Sequence, residues 1–263
     1  MAALSLTPLG TNGFVPTFGR QTMSHLVRHG ARALLLDAGS GVARLLEPAG
    51  RQRLAGAESL EILLTHYHLD HVVGLSYLPA IWRQGRIRLW APAPPLVDAA
   101  PEEALERLLS PPLFPLRCGE FPAPLEIVPY GGDSLEVAGL PARLRRQRHG
   151  GGSVGVVLGE RLAYCTDCEP EAATSRFAAG VELLLHEVWV SDAEVAAGAH
   201  RQGHSTVEEV AAIARQAQAG ALMPVHHFPP RDADGLAELA RRLGELSGIE
   251  VLLPEEGREY RLG

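Results

Sequence analysis

No lysine occurs among the 263 residues, so all 24 cationic side chains are arginine. That absence removes a Schiff-base mechanism and a P-loop together, since each depends on a lysine amine. Cysteine is scarce as well. Cys118, Cys165 and Cys168 are too few and too irregularly spaced for a disulfide framework or a closed structural zinc site. Cys165 and Cys168 have redox-motif spacing, but they surround Asp167 and read as packing thiols. Nowhere do about eighteen apolar residues follow one another, and the N-terminus shows no basic segment followed by an apolar run. Neither secretion nor a membrane span is expected, and a cytoplasmic location follows. The formal charge of -7 argues against non-specific nucleic-acid binding, while leaving a local basic groove open.

What is present is enough apolar material, 46%, for a large core, with no repeat, low-complexity tract or long Pro/Gly/Ser linker. One domain over residues 1–263 is expected. Its centre is Thr65-His66-Tyr67-His68-Leu69-Asp70-His71, which follows the strand-like run Ile62-Leu63-Leu64 and precedes a helix-compatible segment that should stop at Pro79. Four metal-binding side chains within six positions, at the end of a buried strand, are hard to explain as packing. His66 and His68, two apart in extended backbone, point the same way and can bind one cation; Asp70 and His71, at the turn into the helix, can face a second.

Leu4 to Gly10 reads as a first strand, and Ser24–Val27 with Ala33–Gly39 as a hairpin-like pair around His29-Gly30. Asp37, at the end of that pair, reads equally as a carboxylate that orients a metal-binding histidine or as a turn-forming residue. Pro101 to Leu109 reads as a helix, and the proline- and glycine-rich residues 110–132 as a surface loop or lid over the site. His149, followed by three glycines, is a candidate third ligand for the first cation. The arginines at 143, 145, 146 and 148 either attract an anionic substrate or form a solvated face. Asp167 ends another strand and can bridge two cations, whereas His186-Glu187 reads as structural. Ser205 with Glu208 fits a capping box that places His204 at a helix N-terminus, as a histidine that contacts substrate or donates a proton. A last strand ends in His226-His227, of which His226 is the expected ligand.

These motifs resemble the metallo-β-lactamase fold superfamily, in the branch that contains ribonuclease Z and related phosphodiesterases. Thr65-His66-x-His68-x-Asp70-His71 carries the resemblance, with Leu9-Gly10-Thr11, Leu36 to Gly41, His149 to Gly155, Gly203-His204-Ser205-Thr206 and His226 beside it. The resemblance implies an α/β fold, a four-layer αβ/βα sandwich with the site between two sheets at one edge. It implies two divalent ions, one on His66, His68 and His149 and the other on Asp70, His71 and His226, bridged by Asp167. Asp70 and His204 are then the catalytic pair. The long arm by which ribonuclease Z enzymes grip transfer RNA is not evident, and the tail from His226 to Arg231 departs from that family's form.

The expected activity is that of a dinuclear metal-dependent hydrolase, a phosphodiesterase in which a hydroxide between the ions attacks phosphorus and His204 protonates the departing oxygen. Nitrogen and carboxylate ligands without thiolate fit zinc and leave manganese or iron open. The expected substrate is a small phosphodiester such as a cyclic nucleotide. The alternatives are RNA, through ribonuclease Z-type 3′ processing of transfer RNA, hydrolysis of a thioester or lactone, and a catalytically silent binding protein. A homodimer is left open.

Overall fold

Strands that are apolar on both faces must be covered on both faces. The computed structural model, which describes residues 3–83 and 85–263, shows how this is done. The first half runs β1 (Leu4–Gly10), β2 (Ser24–His29), β3 (Arg32–Leu36), α1 (Pro48–Leu54), β4 (Ser59–Leu63), α2 (Leu69–Val72), α3 (Leu78–Ile81), β5 (Ile87–Pro92), α4 (Pro101–Leu108) and β6 (Leu125–Tyr130). The second half runs β7 (Ser134–Val137), β8 (Leu140–Gln147), β9 (Ser153–Leu158), β10 (Leu162–Cys165), α5 (Ala172–Phe177), β11 (Leu183–Glu187), α6 (Asp192–Ala196), α7 (Val207–Ala217), β12 (Ala221–Val225), α8 (Ala233–Ser247), β13 (Glu250–Val251) and β14 (Tyr260–Leu262).

These strands form two seven-stranded sheets, ordered β14-β1-β2-β3-β4-β5-β6 and β13-β12-β11-β10-β9-β8-β7. The side-chain period of two sorts each strand between two cores. Leu34 and Leu36 of β3 face the second sheet and meet Val154, Val156, Tyr164 and Leu185 there. Ala33 and Leu35 face the other way, onto Leu45, Leu75, Leu78 and Leu105. On the far side, Val157, Ala163, Leu184 and Leu222 pack beneath Val210 and Ile213 of α7 and Leu239 and Leu243 of α8. The result is the four-layer αβ/βα sandwich implied by the sequence motifs.

Three local expectations change. Pro79 does not stop the helix after the histidine stretch. A 3-10 segment over Val73–Tyr77 intervenes, and Pro79 sits in the first turn of α3, where its missing N–H leaves nothing unpaired. Residues 110–132 are not a lid: β6 lies within them as the edge strand, and Phe114, Leu116, Phe121 and Ala123 join the core around Leu105 and Leu109. Their apolar side chains find a core between the prolines, so the segment is pinned to the scaffold. The capping box lies one residue later than expected, with Thr206 Oγ1 and Glu209 closing the start of α7. Ser205 instead donates its hydroxyl hydrogen to the Cys168 carbonyl.

Candidate active site

The site lies where the parallel strands of both sheets end, the place at which an α/β sheet leaves a crevice for ligands. Asp37 follows β3, His66 follows β4, Asp167 follows β10, Glu187 closes β11 and His226 follows β12. Asp37, Asp167 and His226 take φ of 58°, 49° and 53°. Left-handed backbone at a non-glycine residue costs about 1–3 kcal/mol, and here it turns three polar side chains off their strand ends.

Those side chains converge. His66, His68, His149 and Asp167 offer ligand atoms within 4.8 Å of one another, and so do Asp70, His71 and His226. Asp167 stands between the groups: Oδ1 is 3.8 Å from His66 Nε2, 3.5 Å from His149 Nε2 and 3.2 Å from His226 Nε2, while Oδ2 is 3.1 Å from His71 Nε2. Asp70 Oδ2 lies 3.5 Å from His71 Nε2 and 3.3 Å from His226 Nε2. The structure thus brings together every residue that the sequence marked as a ligand.

Several side chains fix this arrangement from behind. The Asp37 carboxylate accepts hydrogen bonds from Thr65 N at 2.7 Å, Thr65 Oγ1 at 2.9 Å, Tyr164 Oη at 2.8 Å and His71 Nδ1 at 2.9 Å. The last of these directs His71 Nε2 into the site, which resolves the two readings of Asp37 in favour of orienting a histidine. Burial alone would lower the His71 pKa, but the surrounding carboxylates of Asp167, Asp70 and Asp37 raise it well above the ordinary value. For Asp167, burial would raise the pKa, yet His226, His71 and His66 hold it well below the carboxylate range.

The donor set fits divalent cations. His66 Nε2 and His71 Nε2, both turned toward the carboxylates of the site, are buried without a hydrogen-bond partner. Leaving buried polar atoms unpaired is costly, and cations held between imidazoles and carboxylates would relieve it. His25 and His227 are also buried and unpartnered, but they belong to none of the metal-capable groups among the described residues. Burial lowers both to about 3, so they are neutral at pH 7.

His204 faces the same centre, completing a group with Asp167 and His226. Its Nδ1 donates to Glu187 Oε2 at 2.8 Å, and its ring stacks on Trp189 at 4.4 Å between centroids. Burial would lower its pKa, but Glu187, then Asp167 and Asp70, lift it to about 9. The Glu187 carboxylate therefore favours the protonated form of His204. Sequence reasoning missed Glu187 by treating it together with His186 as structural. His186 is indeed buried elsewhere, its Nδ1 on the Glu187 carbonyl, but Glu187 is the partner of His204 and also accepts from the Cys168 N–H. A charged residue at the end of the otherwise apolar β11 was the available signal.

A cleft of about 500 Å³ opens over both ligand groups, walled by Phe14, Val15, Leu69, Trp189 and Gln202. The arginine run stays outside it. Arg143, Arg145, Arg146 and Arg148 pair with Glu160, Glu171, Asp98 and Glu169, which makes the run a solvated, ion-paired face.

Comparison with known proteins places these features in a wider group. The family described as "Beta-lactamase superfamily domain" matches residues 32–227, a span that holds every candidate ligand. A ribonuclease Z of Mycobacterium bovis is 29% identical over 249 residues, covering 86% of each protein. Among solved structures, the metallo-beta-lactamase fold protein YhfI from Bacillus subtilis superposes with a TM-score of 0.75 at 18% identity, covering 98% of this chain and 99% of that one. A diphosphatase from the PhnP family gives 0.71 at 21% identity, covering 99% and 98%.

Proposed function

The chain belongs to the β-lactamase superfamily, as a hydrolase of the metallo-β-lactamase fold, and from that premise we propose that it is a dinuclear phosphodiesterase. The observation that carries the proposal is Asp167 standing between two histidine-rich groups, with His204, hydrogen-bonded to Glu187, facing the same point. In this reading His66, His68 and His149 hold one ion, Asp70, His71 and His226 hold the other, and Asp167 is shared by both. Imidazole and carboxylate donors favour zinc. Bound there, two divalent ions would make water a nucleophile near neutral pH and neutralise charge on the phosphate.

The protein's own groups do the rest. Asp37 sets the His71 tautomer, so that Nε2 carries the lone pair turned to the centre. Asp70, deprotonated because His71 and His226 outweigh the effect of burial, holds charge beside the attacking water. Glu187 keeps His204 protonated, and His204 delivers that proton to the departing oxygen. Stacking of the imidazolium on Trp189 favours the same charged form.

A small diester such as a cyclic nucleotide is the proposed substrate, hydrolysed by a cytoplasmic enzyme that works as one domain, with a homodimer as an open assembly. A second reading, RNA cleavage, draws on the relatives named ribonuclease Z. The pairing of Arg143, Arg145, Arg146 and Arg148 with carboxylates speaks against it, since that run is not a free basic track.

The test combines metal content with hydrolysis of bis(p-nitrophenyl) phosphate by wild type and His68→Ala. About two ions per chain, and a loss of at least about 100-fold in kcat/KM in the variant, are expected. Bound metal without diester cleavage would transfer the assignment to a carboxylic ester or thioester. Absence of metal would end it.

A further inference from the structure

The ligand cluster stands between two cavities of different character. The cleft of about 500 Å³ lies over both ligand groups, reaching His68 and His149 as well as Asp70 and His226, with Phe14, Leu69 and Trp189 as its apolar walls. A second cavity of about 360 Å³ opens on the other flank, beside His66 and His68, and is lined by Tyr67, Val97, Asp98 and the backbone of Gly150–Gly152. Among the described residues no arginine lines either cavity, and the chain has no lysine. Arg146 lies against Gly152, but its guanidinium is held by the Pro95 carbonyl at 2.7 Å and by Asp98 at 2.9 Å. Apart from the ligand cluster and His204, no described residue lining either cavity offers a positive charge to a second phosphate.

The apolar wall is built into place. Phe14 is 73% exposed and Leu69 63%, an arrangement that a soluble protein avoids unless something covers it. Phe14 also takes φ of 61°, a strained backbone for an aromatic residue. Its N–H donates to Asp70 Oδ2 at 2.7 Å, so a ligand of the site holds the strained turn. One residue earlier, a Cβ on Gly13 would stand 2.4 Å from the His226 ring, which puts the loop backbone directly against another ligand. The backbone that carries the aromatic ring is therefore tied to the reacting centre.

Resting on the phosphodiesterase reading, we infer that the site selects a singly charged phosphodiester with one flat aromatic arm, laid on the wall of Phe14, Leu69 and Trp189. The other arm is small and uncharged and enters the glycine-lined cavity. Stacking on an aromatic side chain accounts for about tenfold in affinity, and an additional phosphate brings none.

Calorimetric titration of the metal-loaded protein tests this with unactivated diesters. Diphenyl phosphate is expected to bind at least about tenfold more tightly than dimethyl phosphate. Phe14→Ala should remove most of that difference, whereas Leu113→Ala, on an exposed residue of another loop, should leave it intact. A thymidine dinucleotide and tetranucleotide should bind within about threefold of each other and lose little affinity with salt. Equal binding of the diphenyl and dimethyl esters, or a preference indifferent to Phe14→Ala, would overturn the aromatic arm. Affinity that climbs with each added phosphate would overturn the single charge. Failure of the loaded protein to bind or cleave any diester would instead refute the phosphodiesterase reading itself.

Discussion

Asp37→Asn removes one charge from the centre of the site without changing its shape. Asparagine tolerates the left-handed backbone that Asp37 adopts, so the substitution adds no strain. Its carbonyl oxygen can still accept from Thr65 N, but its amide group would face His71 Nδ1 and the Tyr164 hydroxyl, both of which now donate to Oδ2. Two buried donors lose their acceptor, at about 1–3 kcal/mol each. His71 has one escape, which is to accept from the amide at Nδ1 and move its proton to Nε2. That nitrogen is the one turned toward Asp70 and Asp167, so the relieved tautomer cannot bind an ion there. The metal-free protein should lose about 2–4 kcal/mol in urea unfolding. Zinc affinity, measured by competition with a chromophoric chelator, should fall about 10- to 100-fold. A folded variant with zinc affinity within twofold of wild type would refute the argument that Asp37 sets the tautomer.

Other substitutions probe the remaining supports. Gly13→Ala would drive a methyl group into the His226 ring, and a lower metal content in a folded protein, read by elemental analysis, is the expected result. Glu187→Gln removes the carboxylate that outweighs burial at His204, so its pKa should fall from about 9. Since the proton donor must be protonated, the alkaline limb of the pH–rate profile should move to lower pH, with activity lost at pH 8 before it is lost at pH 6. An unmoved limb would exclude His204 as the acid. His25 is neutral in the folded state, with a pKa of about 3 against 6.5 when unfolded. The unfolded chain then binds more protons between those values, so stability is present above pH 6.5 and declines as pH falls toward 3. By pH 5 the loss is about 2 kcal/mol. His25→Leu should flatten that part of the metal-free urea stability curve, and an unchanged slope between pH 7 and 5 would count against it.

The sequence by itself determined the fold class and marked the candidate ligands that the fold brings together, for a reason visible in particular residues. His66, His68, Asp70 and His71 fall within six positions, so the short turn from β4 into α2 alone brings them to one place. His149, Asp167 and His226 each stand next to a strand, and a sheet gathers strand ends. Apolar runs such as Leu34–Leu36 and Leu183–Leu185 already announced sheets covered on both faces. Only the tertiary structure decided what each ligand leans on. Glu187 meets His204 across 17 positions, Tyr164 meets Asp37 across 127, and the Phe14 N–H meets Asp70 across 56. No local period encodes such pairs. The role of 110–132 was lost for the same reason, because prolines and glycines mark where a chain turns but not which core its intervening side chains will reach. The aromatic wall was hidden too, since whether an exposed phenylalanine faces solvent or a reacting centre depends on where the loop's backbone is tied.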